Sequence, residues 1–549
     1  MWPDVAGPGL ATTFSVALNG VHGEVVEVQA TIRSGLPCTT LAGLPDVAVT
    51  EARHRCRAAV VNSGLKWPEQ VLVVGLFPAS LPKTGTMYDL GIALATLAAA
   101  GTLPAGDIAS TVMLGELALD GRVRSLPGIL PATLAAQQQG VSRVMVPEAN
   151  AAEAQIVPDM EVVAVRSLRH AVAVLCGEEI PDEVETFTLL EARQAWTSLR
   201  CVDDLDLVDV LGQVEARHCV EVAAAGGHHL LLEGPPGAGK TMLAERLPGL
   251  LPDLLLEESL EVSGIHSVAG LLSRHAPLIV RPPFLDPHHT ASSPAIVGGG
   301  GKVLRPGALS LAHRGVLFMD EAPEFQARIL EAVRQPLESR QVTISRSERS
   351  AVFPAAFQLV LAANPCPCGY DWSTSDRCEC TPAAKRRYRD RISGPVRDRI
   401  DIHRRVNPAR RQELHDDLLV AETTATVAAR VREARARQAH RYRGTRWRRN
   451  AEVPGSALRS RWLVRARRVA DLEDQLAQGR LSARGVDRVL RLCWTLADLA
   501  GRAEPDDRDV EMAAGMHGAE ALRLDSWQRE RDTRQALRPA DDLDAVGRS

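Results

Sequence analysis

A glycine-rich segment, GPPGAGKT at residues 234–241, limits this chain to few folds because it must follow a strand and begin a helix. Its form, G-x-x-x-x-G-K-[ST], is typical of a loop whose backbone N–H groups surround a polyphosphate. The apolar run at residues 228–234 predicts a buried strand, and residues 242–247 predict the helix whose N-terminus faces the phosphates. Strand–helix alternation from residue 200 to about residue 405 therefore predicts a parallel α/β sheet.

The side chains of this loop predict nucleotide binding. Lys240 supplies a positive charge to the β- and γ-phosphates, and the Thr241 hydroxyl is a ligand for Mg²⁺. Small residues around them leave room for the backbone to turn inward. The loop residues expected to bind the nucleotide are Gly234, Pro235, Pro236, Gly237, Ala238, Gly239, Lys240 and Thr241.

A second motif, VLFMDE at residues 316–321, supplies the acidic residues that such a site needs. It is an apolar strand ending in Asp320, which we expect to bind Mg²⁺ with Thr241, and in Glu321, which we expect to orient or deprotonate water. Because both motifs follow strands and occur in this order, they predict a nucleotide triphosphatase with ATP and Mg²⁺ as cofactors.

A third apolar strand, residues 357–365, ends in Asn364. An amide at the tip of a strand beside the two carboxylates would position water or sense the γ-phosphate. The alternative is that the Asn–Pro pair simply ends a strand.

Arginines in two later segments are candidates for stabilising the transferring phosphoryl group. Residues 395–403 contain Arg397 and Arg399, and an amphipathic helix over residues 481–492 carries Arg484. A guanidinium that arrives late, often from a neighbouring subunit, gives this stabilisation. In a chain so rich in arginine, a solvated surface position is the alternative for each.

The length of 549 residues predicts about three domains. The acidic segment after residue 178, which contains Pro181, is the expected linker. The expected divisions are an N-terminal α/β domain (1–178), the linker (179–199), the ATPase core (200–408), an Arg-rich helical region (409–524) and a charged tail (525–549). No apolar stretch approaches about 18 residues and no secretory signal begins the chain, so we expect a cytoplasmic protein without a membrane span.

Four cysteines, at positions 366, 368, 378 and 380, follow the third strand closely in the loop over residues 366–380. Four thiols so spaced in a cytosolic chain suggest a tetrahedral site, most plausibly for Zn²⁺, formed by Cys366, Cys368, Cys378 and Cys380. The alternative is a reduced, solvent-exposed loop. The pair His288-His289 is a weaker metal candidate, and we expect it instead in a loop that faces a pore.

The N-terminal region resembles the protease domain of Lon over residues 79–95 and 115–136. This raises the alternative of an ATP-dependent protease with a hydroxyl nucleophile and an amine base. The nucleophile position holds Met87 and the lysine position holds Leu130, and neither can form the dyad. We therefore expect a non-catalytic scaffold or docking domain.

The longer segments around these motifs, including PHHTASSPAIVGGG, ANPCPCG and LSARGVDRVLRLCWTLADLAGR, resemble the magnesium-chelatase-like AAA+ ATPases of the ComM (YifB) family. The resemblance implies an N-terminal Lon-protease-like (S5-like) α/β domain, an AAA+ P-loop core and a C-terminal helical lid. It also implies a hexameric ring with sites between subunits. By motif, Asn364 matches sensor 1, Arg399 the arginine finger and Arg484 the sensor-2 arginine.

Two basic stretches bear on the substrate although the net charge is −4. Residues 385–405 contain nine Lys and Arg, and residues 430–449 contain nine Arg with Tyr442 and Trp447 among them. Clustered arginines neutralise phosphates and aromatic rings stack on bases, whereas the alternative is a solvated helix face with ion pairs between subunits. The resemblance implies a DNA branch-migration motor with recombination proteins as partners; a chelatase-like or protein-remodelling ring is the alternative.

Overall fold

The computed structural model describes residues 9–104, 108–181, 205–300, 304–346, 349–372, 377–409 and 421–522, together with residues 415 and 524. It confirms the expected α/β class, with two α/β regions followed by a helical region. Most of the expected linker and all of the expected tail lie outside these residues, so both stay predictions.

A seven-stranded mixed sheet organises the N-terminal domain, in the order β3-β4-β2-β1-β5-β8-β9. Its long strands β1 and β2 are antiparallel, whereas β5, β8 and β9 run parallel to β1. The strands of the domain are β1 Leu10–Asn19, β2 His22–Arg33, β3 Cys38–Ala42, β4 Val71–Phe77, β5 Thr111–Met113, β6 Glu116–Leu117, β7 Val123–Arg124, β8 Arg143–Pro147 and β9 Glu161–Val165. The helices are α1 Val47–Asn62, α2 Asp89–Ala99, α3 Ile129–Gln138, α4 Ala151–Ala154 and α5 Leu168–Cys176.

The residues at the protease-like positions of this domain are structural. Met87 is 8% exposed and Leu130 is fully buried, so both fill the core. The nearby Lys83 is also buried and donates to the carbonyl of Pro78, while the Thr86 hydroxyl donates to Glu116. Lys83 and Thr86 therefore have other partners, as expected for a domain without the dyad.

The second region is a five-stranded parallel sheet in the order β11-β14-β17-β10-β18. Its central strands are buried along their length because helices cover both faces. The strands here are β10 Leu230–Glu233, β11 Phe284–Leu285, β12 Gly298–Gly299, β13 Arg305–Pro306, β14 Val316–Met319, β15 Gln341–Arg346, β16 Arg349–Pro354, β17 Gln358–Ala363 and β18 Ile402–Arg405. The helices are α6 Val214–Gly226, α7 Lys240–Leu250, α8 Leu256–Ala269, α9 Ser293–Val297, α10 Ala308–Leu311, α11 Ala327–Ser339, α12 Pro382–Arg389 and α13 Gly394–Arg397.

The C-terminal helices share a hydrophobic core with the ATPase sheet instead of forming a separate one. Side chains of β10, α6 and α7 belong to the same buried cluster as lid residues such as Val431, Trp462 and Leu490. The helices of this lid are α14 Thr424–Arg441, α15 Gly455–Leu458, α16 Val469–Ala477, α17 Ala483–Leu499 and α18 Asp507–Gly518. The lid is therefore packed against one face of the sheet, whereas the other face has its own cluster.

The N-terminal domain contacts the core through α3 and α8. The amide of Gly128 donates to the carbonyl of Ser267 (3.1 Å), and the Ser267 hydroxyl donates to Glu153. Residues 264–269 complete α8, and the His288-His289 pair lies further along, in the segment between β11 and α9. No helix among the described residues is both long and apolar enough to cross a bilayer.

Candidate active site

The sheet order brings the ends of three strands together at one edge. In a parallel sheet, the carboxyl ends of all strands meet at the same edge. The glycine-rich loop follows β10, Asp320 and Glu321 follow β14, and Asn364 follows β17, which lies between the other two. Although 44 residues separate Asp320 from Asn364 in the chain, both belong to one site.

A cavity of about 360 Å³ opens at this edge. Its size suits a small-molecule ligand. Its lining residues are Pro236, Gly237, Ala238, Gly239, Lys240, Thr241, Met242, Asp320, Glu321 and Asn364. Every residue in this set except Met242 was expected from the sequence; Gly234 and Pro235 lie just behind the lining and contribute their carbonyls to it.

The loop adopts the shape that its glycines predict. Gly239 has φ of 91° and precedes the first residue of α7, so the N-terminus of that helix opens into the cavity. A side chain would be strained at this φ. The backbone N–H groups at the start of α7 have no partners within a helix and carry partial positive charge, which makes this end a site for anions.

Lys240 lies at the centre of the site and is 8% exposed. Its ammonium donates to the carbonyls of Gly234 (2.7 Å) and Pro235 (2.9 Å) and to Oδ1 of Asn364 (3.1 Å). Burial lowers the pKa of Lys240, and the charges of Asp320 and Glu321 oppose this. A buried ammonium held by neutral oxygens gains electrostatic energy when phosphate oxygens replace them, and Asn364 is bonded directly to it.

The metal-binding pair expected from the sequence is also in contact. The Thr241 hydroxyl donates to Oδ2 of Asp320 (2.8 Å), and the amide of Glu321 donates to Oδ1 of Asp320 (2.8 Å). A hydroxyl and a carboxylate at this spacing are hard oxygen ligands that suit Mg²⁺. Glu321 has φ 50° and ψ 42°, a left-handed conformation that is rare for this residue type and that turns its side chain out of the strand direction.

His289 is a contact that sequence reasoning missed. Its Nδ1 lies 3.3 Å from Oε2 of Glu321, and its ring centroid lies 4.2 Å from that of His288 with the two rings tilted by 32°. The histidine pair was expected to face a pore or, less plausibly, to bind metal. A usable signal existed, because the pair follows β11, whose carboxyl end must meet the same sheet edge as β14.

Arg399 and Arg484, matched by motif to the arginine finger and to sensor 2, do not lie among the described residues that line the cavity. Arg484 is exposed and pairs with Asp398 (3.3 Å), and Arg399 is 4% exposed and bonded to Glu338 and to the carbonyl of Pro395. Because Glu338 is 58% exposed, this pair lies at the surface of the chain. The roles of both arginines stay predictions, and that of Arg399 requires its ion pair with Glu338 to open.

The four cysteines of the loop after β17 converge. Their sulfur atoms all lie within 4.8 Å of one another. Cys366 is buried and the other three are partly buried, so these four cysteines are not fully exposed; zinc binding stays a prediction.

The two aromatic residues of the stretch 430–449 pack inside the lid, which contradicts the base-stacking role expected for them. Tyr442 is 1% exposed and donates to Asn450 (2.6 Å), and Trp447 packs edge-on against Trp462 (5.8 Å). Arg430 pairs with Glu221 across the contact between lid and core (2.6 Å). Because α14 packs against both α6 and α17, the side chains on those faces are directed inward whatever their charge.

Other arginines of this helix are also internal: Arg435 donates to the carbonyl of Ala224 (2.7 Å), and Arg441 pairs with Asp498. Burial lowers the pKa of Arg435 to about 9. Arg432 and Arg443 are exposed, with no ion pair in the described parts of the chain. Several arginines of this stretch therefore form ion pairs within the chain, and the expected alternative of ion pairs between subunits stays a prediction.

The other basic stretch keeps exposed cations. Lys385 and Arg389 pair with Asp371, but Arg386 and Arg387 on α12 are exposed and form no ion pair with any described residue.

Comparison with known families agrees with this architecture. A family model described as magnesium chelatase, subunit ChlI, matches residues 206–414, which contain the whole cavity. A second, described as subunit ChlI of Mg-chelatase, matches residues 26–150, and a third, described as magnesium chelatase, subunit ChlI C-terminal, matches residues 421–517.

Similarity to individual proteins covers nearly the whole chain. A Mycobacterium tuberculosis protein is 48% identical over 514 residues, 94% of this chain and 100% of that protein. YifB of Escherichia coli is 39% identical over 490 residues, 89% of this chain and 93% of YifB. Competence protein ComM of Haemophilus influenzae is 38% identical over 502 residues, 90% of this chain and 95% of ComM.

Two partial similarities are shorter. The 38 kDa subunit of magnesium chelatase from Rhodobacter capsulatus is 26% identical over 38% of this chain. Lon protease of Mycolicibacterium smegmatis is 32% identical over 28% of this chain and 20% of its own length, so the similarity to Lon is partial.

Proposed function

This chain belongs to the ComM (YifB) family of magnesium-chelatase-like proteins, which are AAA+-like ATPases, and we propose that it is a ring motor that acts on DNA. Its activity would be branch migration or helicase-type strand separation during recombination or DNA uptake. Because the proposed substrate is DNA, the proposed location is the cytoplasm. The single observation that carries the ATPase part is the cavity in which Lys240, Thr241, Asp320, Glu321 and Asn364 meet.

The first step is binding of ATP. The amide groups of the loop and the N-terminus of α7 face the phosphates, and Lys240 exchanges its carbonyl partners for phosphate oxygens. Thr241 and Asp320 would hold Mg²⁺, which would supply positive charge to stabilise the charge developing on the phosphoryl group.

The second step is attack by water. The carboxylate of Glu321 is half exposed at the mouth of the cavity, where it orients a water molecule and accepts its proton. His289 holds one oxygen of this carboxylate before the nucleotide enters, so His289 acts as a positioning residue. Asn364 accepts a hydrogen bond from the Lys240 ammonium, so its position depends on whether that ammonium binds phosphate instead.

A neighbouring subunit completes the site in this proposal. The described residues that line the cavity include no arginine, although a guanidinium stabilises the transferring phosphoryl group strongly. Arg399 from the next protomer of a hexameric ring would supply it. Replacing Arg399 with Ala should reduce ATP turnover of the assembled ring at least 100-fold while the nucleotide affinity changes little; full turnover in an intact ring would end this assignment.

The support for DNA comes from exposed charge and from the family. Competence protein ComM is a relative over most of this chain. Among the basic residues, Arg386 and Arg387 suit phosphate contacts because they are exposed and form no ion pair in the described chain. They lie on α12, which begins two residues after Cys380 and so is linked closely to the loop that carries Asn364.

The decisive experiment measures ATP hydrolysis without DNA, with single-stranded DNA and with a forked or four-way junction. We expect DNA to stimulate the rate, and the stimulation to disappear in Glu321→Gln. In the double variant Arg386→Ala/Arg387→Ala, the salt dependence of binding to duplex arms should weaken by about 0.9 per lost phosphate contact in log–log slope. The comparison variant, Arg432→Ala/Arg443→Ala, removes two arginines that are also exposed and without an ion pair in the described chain but that lie in the lid and not on α12. It should leave the slope unchanged if the phosphate contacts are made by α12.

A chelatase-like or protein-remodelling ring is the second candidate. Similarity to the 38 kDa subunit of magnesium chelatase and the inward-facing arginines of α14 favour it. An ATPase rate that no DNA changes would select this candidate over the DNA motor.

A further inference from the structure

The sulfur atoms of the cysteine cluster have the spacing of a metal site. The distance from Cys366 Sγ to Cys368 Sγ is 3.3 Å, and that from Cys366 Sγ to Cys378 Sγ is 3.7 Å. A tetrahedral ion with Zn–S bonds of about 2.3 Å places its sulfur ligands about 3.8 Å apart, whereas a disulfide requires about 2.05 Å. The four cysteines therefore form no disulfide with one another, and their sulfur atoms are close enough to bind the same ion.

The cluster is also embedded in the protein. Cys366 is fully buried, and Cys368, Cys378 and Cys380 are partly buried. The ammonium of Lys385 lies beside Cys378 and donates to Asp371 of the same loop. A metal with four thiolates carries a net negative charge, and a lysine beside it reduces the energy of burying that charge.

The cysteine loop rests directly on the phosphate-binding loop. Gly369 has φ of 83°, and a Cβ there would lie 2.6 Å from Cδ of Pro236 and 3.9 Å from Cγ of Asn364. Gly369 therefore allows the close contact that joins the cysteine loop, the phosphate-binding loop and the Asn364 amide. Cys366 is only two residues beyond Asn364, so fixing the position of the Cys366 sulfur also restricts the movement of the Asn364 side-chain amide.

We propose that Cys366, Cys368, Cys378 and Cys380 bind one Zn²⁺, and that this ion holds Asn364 and the phosphate-binding loop in the geometry that binds nucleotide. Four thiolates leave no open coordination position, so the role is structural. The second half of this proposal rests on the proposed ATPase function; the first half does not.

The metal content of the full-length protein, purified without chelator, tests the first half. We expect about one zinc ion per chain in the wild type and in Cys38→Ser, which changes an exposed cysteine of β3. The double variant Cys378→Ser/Cys380→Ser should contain none. Co²⁺ added to the metal-depleted wild type should give the visible absorption of tetrahedral cobalt thiolate. Absence of both zinc and the cobalt spectrum in the wild type, or full zinc in the double variant, would overturn the site.

Binding of a fluorescent ATP analogue tests the second half without requiring hydrolysis. Releasing zinc from the wild type with a thiol-specific mercurial, monitored with a chromophoric chelator, should weaken binding on the order of tenfold, as expected for losing one charge-assisted hydrogen bond. Cys38→Ser treated in the same way controls for modification elsewhere, and readdition of zinc after thiol reduction should restore affinity. Unchanged affinity after complete zinc release would refute the coupling, whereas loss of ATPase activity alone would bear only on the proposed function.

Discussion

The ion pair between Arg430 and Glu221 should hold the lid against the ATPase core. Arg430 is 7% exposed and Glu221 is 5% exposed, and Nε of Arg430 lies 2.6 Å from Oε1 of Glu221. Arg430 also binds Glu422 (2.8 Å). Replacing Arg430 with Ala leaves a buried carboxylate without its guanidinium, which costs about 3–5 kcal/mol.

The lowered pKa of Glu221 also shows that its surroundings favour the carboxylate, with both His218 and Arg430 contributing. Burial alone would raise this pKa, but the hydrogen bond from His218 and the charge of Arg430 outweigh burial and lower it to about 2. The difference from the ordinary value of 4.5 corresponds to about 3 kcal/mol. Because the folded-state pKa is the lower one, this stabilisation is complete above about pH 4.5 and is lost as the pH falls toward about 2.

Urea unfolding monitored by tryptophan fluorescence measures the effect, since Trp447, Trp462 and Trp494 all lie in the lid. With an m value of about 3 kcal/mol/M, the midpoint of the unfolding transition of the lid and the core region that it shares should fall by about 1 M in Arg430→Ala at pH 7. The loss of stability between pH 5 and pH 3 should also be smaller than in the wild type. Arg432→Ala, exposed two residues away, is the matched control; equal midpoints for the two variants would refute this reasoning.

Three predictions concern the catalytic cavity. Lys240→Ala should abolish measurable binding of a fluorescent ATP analogue, because no other cation reaches the cavity centre in the described chain; retained micromolar affinity would contradict this. Glu321→Gln should bind ATP with wild-type affinity but hydrolyse it at least 100-fold more slowly in a single-turnover assay. His289→Ala should lower kcat, by up to about 100-fold, without changing nucleotide Kd, and His289→Gln should restore part of the rate; a wild-type kcat in His289→Ala would show that the contact with Glu321 is incidental.

Local sequence features predicted the strands of the central sheet and the polar residues that meet at their carboxyl ends. The strand at 228–234, the carboxylates at 320–321 and the amide at 364 were recognisable because buried parallel strands are short apolar runs followed by polar residues. The four cysteines were recognisable by their spacing. Each of these signals lies within about ten to fifteen residues of sequence. Over that length, the relative positions of the side chains follow from the local backbone structure.

Charge patterns were less informative, because the sequence does not show which face of a helix is covered. Residues 430–449 were expected to offer arginines and aromatic rings to DNA, yet Arg430 is buried between lid and core and Tyr442 is buried within the lid. A helix that packs against neighbours on two sides buries arginines when partners such as Glu221 are available. Those partners lie about 210 residues away in sequence, beyond the reach of any local pattern.

What the sequence by itself determined is the glycine-rich loop after a strand, the carboxylates at a strand end and the set of four thiols, because each is a short motif whose backbone geometry follows from its own residues. Only the tertiary structure decided that β17 lies between β10 and β14, which places Asn364 on Lys240. It also decided that His289 contacts Glu321 and that Gly369 packs on Pro236. These contacts depend on sheet order and loop packing, which are set by long-range burial of apolar surface and not by the residues in contact.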